Sequence, residues 1–181
     1  MDVESSIFQE RYLRHRERKA RVLQALIEAR HSSRVFANRS IPSTLVSNLM
    51  ELSLLAPSSC DRRAISLTAT SSRDDLDLLG GLLVGGVGWI HRSPTVLLIW
   101  ANPSAYGDRP EREYMPYLDA GVVVQNLYLI SESLGLKGCF VNPQVRERNV
   151  GHFRDVFGLE IFCGAFAVGF AHDKELGTKE P

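Results

Sequence analysis

The chain has 181 residues and a mass of 20.2 kDa, a size that suits one globular domain with a short added arm. Twenty-one Lys and Arg balance twenty-one Asp and Glu, so the overall charge gives no reason to expect nucleic acid or another polyanion as partner. No apolar run approaches the ~20 residues of a membrane-spanning helix, and the start, Met1 to Ser5, carries neither a basic nor an apolar leader, so the expected location is the cytoplasm.

Ser6 to Arg30 contains no Pro or Gly and places Ile7, Leu13, Val22, Leu23, Leu26 and Ile27 at helical intervals, as one long helix or two short ones. Residues 11 to 21 hold six basic side chains against the single acid Glu17. This sets residues 1–21 apart as a basic helical arm preceding a domain over residues 22–181; a solvated helix face is the plainer reading of the same charges.

Pro42 is expected as the first residue of an amphipathic helix carrying Leu45, Val46, Leu49, Leu52 and Leu54 and stopping before Pro57. Ile65, Leu67 and Ala69 alternate with hydroxyl residues as a strand does when one face is covered. A short helix follows over Asp74 to Leu83. The glycines from Gly80 to Gly88 lack both the Gly-Lys-Ser/Thr ending and the preceding strand of a phosphate loop. Thr95 to Ala101 is a buried strand, and Tyr106 to Arg112 a polar loop. Beyond it runs the most apolar helix, from Tyr114 or Pro116 to Leu134, closed by Gly135. A strand at Gly138 to Val141, a helix around Arg146 to Phe157 and a strand at Ile161 to Phe170 complete an α+β set.

The densest chemistry lies in Arg30-His31-Ser32-Ser33-Arg34-Val35-Phe36. Two guanidiniums, an imidazole and hydroxyls so close together suit an anion, because Arg offers forked donors that match phosphate oxygens. A polar turn whose arginines pair with acids such as Glu28 accounts for the same residues.

Arg-x-Ser-x-Arg-x-Phe, then a Pro-started helix and Ala56-Pro57-Ser58-Ser59, resembles the opening of the nitroreductase family of FMN-dependent oxidoreductases. Asp119-Ala120-Gly121, Gln125-Asn126-Leu127, Leu134-Gly135-Leu136 and Val168-Gly169-Phe170 continue the resemblance in order, over residues 22 to 179. It implies a three-layer α+β fold with a central, mostly antiparallel sheet flanked by helices, in a homodimer that holds FMN between its subunits. It further implies that Arg30, His31, Ser32 and Arg34 bind the phosphate and ribityl end, that Ser58, Ser59 and Asp61 approach the flavin, and that Lys179 supplies a tail cation. NADPH or NADH would be the electron donor and a small quinone-like or nitroaromatic molecule the acceptor, with Tyr106, Tyr114 and Tyr117 candidates for the open face of the flavin.

Two departures bear on that expectation. Asp61 stands where the family usually has Asn, and a carboxylate only accepts hydrogen bonds where an amide also donates. It either meets the flavin's pyrimidine edge or pairs with Arg62, Arg63 or Arg34. At the position of backbone donors to flavin N5 and O4, Asn142 is followed by Pro143, which has no N–H.

No other chemistry competes. Three cysteines, Cys60, Cys139 and Cys163, without Cys-x-x-Cys spacing, read as reduced core or near-core residues. The five histidines show no metal-ligand spacing, and Ser58 and Ser59 lack the Gly-x-Ser-x-Gly elbow of a hydrolase. The alternatives are a specialised flavin dehydrogenase, oxidase or flavin-consuming enzyme on the same fold, or a non-enzymatic dimeric module with a degenerate flavin site.

Overall fold

The computed structural model describes residues 3–107, 110–158 and 160–172, with side chains from residue 12 onward. The chain divides into two compact units, Met1–Arg30 and His31–Pro181. The first is one uninterrupted helix, α1 (Val3–Ala29). With no Pro or Gly to break it, α1 is braced by side chains one turn apart: Arg21 pairs with Glu17 at 3.4 Å and Gln24 donates to Glu28 at 2.7 Å. Glu28 is thereby engaged within its own helix.

In the second unit, α2 (Ser43–Ser53) begins one residue later than expected, because Pro42 keeps an extended ψ of 137° and serves as the flanking cap. β1 (Ile65–Thr70), α3 (Arg73–Leu82) and β2 (Thr95–Ala101) follow. α4 (Met115–Ser133), β3 (Leu136–Val141), α5 (Val150–Phe157) and β4 (Ile161–Phe170) complete the unit. β3 starts two residues before Gly138 because Leu136 pairs with Phe170. The expected helix from Arg146 divides into a 3₁₀ turn at Glu147–Asn149 and α5. Ser72 caps α3, and the glycine-rich stretch continues that helix through Gly80 and Gly81 before a 3₁₀ turn at Val84–Gly86. The glycines there allow close packing: a Cβ on Gly86 would come within 2.9 Å of Ile90.

The four strands form one antiparallel sheet in the order β1-β2-β4-β3. Central β2 is buried along its whole length, which explains its unbroken apolar sequence: both of its faces are covered. On one face Leu97, Ile99 and Phe166 pack with Leu49 of α2 and Val123 and Leu127 of α4. On the other, Val96, Leu98 and Trp100 pack with Leu79 of α3 and Phe153 of α5. The result is the expected three-layer α+β arrangement. Val123, Val124 and Leu127 of α4 thus belong to the chain's own core, while Tyr117, Leu118 and Val122 on the same helix are exposed. No helix among the described residues is long and apolar enough to cross a membrane.

Candidate functional site

The segment following α1 lies along the outer edge of β3. The Ser33 N–H donates to the Gly138 carbonyl at 3.0 Å and the Ala37 N–H to the Phe170 carbonyl at 3.0 Å, so residues 32 to 37 extend the sheet by short bridges. Ser33 is buried, with its hydroxyl turned back onto the Val35 carbonyl at 2.9 Å. Ser32 faces α4, where its hydroxyl lies 2.9 Å from that of Tyr128. The Tyr128 oxygen also accepts the Phe140 N–H at 2.9 Å, and its ring meets Phe166 edge-on at 4.9 Å between centroids. Gly138 is required here, since a Cβ would stand 2.2 Å from the Phe166 ring.

Arg34 lies exposed on this edge, its guanidinium 5.7 Å from the Trp89 ring centre, a cation–π distance. Beneath it Cys139 is buried, and desolvation pushes its thiol pKa up even though Arg34 and Ser32 pull it down. His31 is exposed. Arg30 closes the first unit, its N–H donating to the Leu26 carbonyl at 3.0 Å.

The second group of expected residues lies in the loop between α2 and β1. Cys60, Asp61 and Arg63 all adopt left-handed backbone, with φ of 51°, 52° and 48°, a conformation that costs non-glycine residues energy and persists only where surroundings impose it. The constraints are visible. The Ser58 hydroxyl accepts the Arg63 N–H at 2.9 Å, and the Ser59 hydroxyl accepts from Arg62 at 2.8 Å. Arg62 reaches on to Glu111 at 2.6 Å, in a pair that is mostly shielded from solvent. Asp119, 5% exposed on α4, accepts the Ser59 N–H at 2.8 Å and the Tyr106 hydroxyl at 2.9 Å.

Asp61 pairs with Arg63 in a forked contact of 2.9 and 3.2 Å, both side chains exposed. The Arg63 hydrogen bond and charge hold the Asp61 carboxyl below the usual aspartate value. The pairing of Asp61 with an arginine is therefore the arrangement within this chain.

The two groups touch α4 at Asp119 and Tyr128, nine residues and about 13 Å of helical rise apart. Asn142, exposed beyond β3, uses its Oδ1 to accept the Gln144 N–H at 3.1 Å. Lys179 lies outside the described residues. Of the three tyrosines, Tyr106 is buried against Asp119, whereas Tyr114 and Tyr117 are exposed.

Sequence reasoning assigned no role to Tyr128 or Glu111, named Arg62 only as an alternative partner of Asp61, and took Asp119 only as part of the Asp119-Ala120-Gly121 motif. For Asp119 a signal existed, an acid in the most apolar helix, which calls for a buried partner. For the others the contacts span 49 to 96 residues and leave no local mark.

No family model matches the sequence, and the comparison with curated proteins gave no match. Solved structures do match. A protein proposed to be an NADH dehydrogenase/NAD(P)H nitroreductase from Parabacteroides distasonis superposes with a TM-score of 0.73 at 20% identity, over 87% of this chain and 89% of its own. The nitroreductase family protein of Streptococcus pneumoniae gives 0.70 at 14% identity, over 87% and 92%. A proposed nitroreductase from Desulfovibrio desulfuricans, solved in complex with FMN, gives 0.69 at 20% identity, over 88% and 96%. The chain has the nitroreductase fold.

Proposed function

We propose that the protein is an FMN-dependent oxidoreductase of nitroreductase type, in which NADPH or NADH reduces the bound flavin and a small quinone-like or nitroaromatic acceptor then takes the electrons. The observation that carries this reading is the segment of residues 32–37 held along the sheet edge, with Ser33 bonded to Gly138 and Arg34 exposed, in a fold shared with a protein solved with FMN.

The residues present fit the cofactor at its anionic end. Arg30, Ser32 and Arg34 offer guanidinium and hydroxyl donors suited to a phosphate. His31 is assigned beside them, and Lys179 is the corresponding tail cation. The Ser58–Arg63 loop, with Ser58, Ser59 and Asp61, fits the flavin edge in a rigid form, because the contacts to Asp119 and Arg62 fix its strained backbone. At the N5 edge the fit is reduced, because Pro143 lacks the backbone N–H expected there. The chemistry that FMN supplies when bound is hydride transfer at N5. The chain's part is to bind, orient and shield.

A homodimer completes this reading. Tyr117, Leu118 and Val122 are exposed on α4, Leu118 at 58%, and Leu55, just beyond α2, is 76% exposed; large apolar side chains left this open suit burial against a second copy. A two-chain site also accounts for the distance along α4 between the Ser32 and Ser59 groups, since one chain then supplies the phosphate end and the other the loop.

FMN titration tests the reading. The protein is expected to bind FMN and to bleach under NADPH or NADH. Arg30→Ala removes a charge-assisted contact worth roughly 1.5 to 3 kcal/mol, about ten- to a hundredfold in affinity. Unchanged affinity in that variant overturns the phosphate assignment, and a colourless dimer that ignores added FMN favours the non-enzymatic module.

A further inference from the structure

A cleft of about 680 Å³ opens between the loop following β3, α5 and the first residues of β4. Its volume lies within the range of small-molecule sites. Its origin is a mismatch of strand lengths: β3 ends at Val141, opposite Ala165, so β4 runs on from Ile161 with no neighbour on that side. The space that a longer β3 would fill is bounded instead by Pro143, Val145 and Val150.

One part of the cleft wall is aromatic, and Tyr117 of α4 borders the cleft as well. Phe153 and Phe162 line it, with ring centres 4.7 Å apart. Trp100 backs Phe162 at 5.2 Å and Phe153 at 6.0 Å. Tilted rings of this kind offer faces and edges against which a flat ring packs. The rim carries one cation, Arg154, and one acid, Glu160. Glu160 accepts from the Ser66 hydroxyl on β1 at 3.5 Å. Arg154 is exposed and makes no ion pair among the described residues. An aromatic wall below an uncommitted guanidinium matches a molecule with a planar ring at one end and a carboxylate at the other, since the carboxylate takes the forked donors while the ring leaves water.

We propose that this cleft binds a planar aromatic carboxylate, with the ring against Phe153 and Phe162 and the carboxylate on Arg154. Binding requires nothing of the flavin. Its position beside Pro143 makes it the seat of the electron acceptor only in conjunction with the function proposed above, on which that further step rests.

Calorimetric titration of the full-length protein, both stripped of and saturated with FMN, compares 2-naphthoate with the neutral 2-naphthalenemethanol. The acid is expected to bind at least tenfold more tightly, and the preference to weaken as salt screens the charge. Arg154→Gln, a change at an exposed position, is expected to abolish the preference while leaving the alcohol's affinity unchanged. Val150→Trp, which fills the cleft, is expected to weaken both ligands. Equal affinities in the wild type, no binding of either compound, or a preference that survives Arg154→Gln overturns the proposal. Naphthoate binding in a protein that ignores FMN supports the cleft and overturns the flavin reading, so the two fail separately.

Discussion

Asp119 and Ser59 lie sixty residues apart in sequence and meet at 2.8 Å, carboxylate oxygen to backbone N–H. The other carboxylate oxygen holds the Tyr106 hydroxyl, so one buried acid anchors both the Ser58–Arg63 loop and the turn after β2. Asp119→Ala leaves a part-buried N–H and a buried hydroxyl without their acceptor and is expected to cost about 1 to 3 kcal/mol of stability. Asp119→Asn keeps an acceptor for Ser59 and loses less. Urea unfolding of the two variants measures the order, and equal losses mean that the carboxylate acts only through its charge. Burial and the Asp119 carboxylate also raise the Tyr106 pKa above its ordinary value of 10.0. Because the folded value is the higher one, this contribution is complete below pH 10 and is lost as the pH rises from there toward the folded value. The alkaline loss is expected to be shallower in Tyr106→Phe.

The three cysteines have unequal surroundings. Burial and the nearby Asp119 charge push the Cys163 thiol up to about 12, and burial raises Cys139. Cys60 is exposed. Since the thiolate is the reactive form, a thiol reagent at pH 8 is expected to label one site in the native protein and three in denaturant. Cys60→Ser is expected to remove the native labelling; rapid labelling that persists in this variant places a second thiol within reach of solvent.

How much of this was legible in sequence depends on the range of the contacts. β2 and α4 were readable because an unbroken apolar run and a helix closed by Gly135 are local signals. The bounds of β3 were not, since its first two residues are strand only through pairing with Phe170 and Gly169. The left-handed residues Cys60, Asp61 and Arg63 include no glycine to announce them; the loop's own Ser58 and Arg62 hold that backbone together with Asp119 and Glu111 from distant positions. Nor does the sequence mark why position 138 is glycine, because the Phe166 ring that occupies the place of its side chain comes from another strand. For Asp61 the sequence leaves the flavin edge and three arginines open, and within this chain the fold supplies Arg63.

The exposed apolar surface makes the dimer testable at single residues. Leu118→Glu puts a charge where a second copy is expected to exclude water, and charge burial without a partner is strongly unfavourable. Sedimentation of the wild type is expected to give twice the 20.2 kDa of one chain, and the variant one chain mass with its circular dichroism unchanged. A wild type that sediments as a single chain at micromolar concentration excludes the dimer and with it a shared flavin site.

The Asp61–Arg63 pair gives the flavin reading its sharpest test. Ionised together, the two side chains carry no net charge, so beside a flavin they neither favour nor oppose the negative charge that reduction places on the ring. Removing one partner exposes the other. Asp61→Asn leaves the Arg63 cation uncompensated and is expected to raise the FMN reduction potential; Arg63→Gln leaves the Asp61 anion and is expected to lower it. Both side chains are exposed, so each shift is expected to be small and to shrink as salt is added. The double variant should return close to the wild type. Spectroscopic redox titration of the four proteins decides the matter, because a purely structural role for the pair would move both single variants in the same direction or leave the potential unchanged.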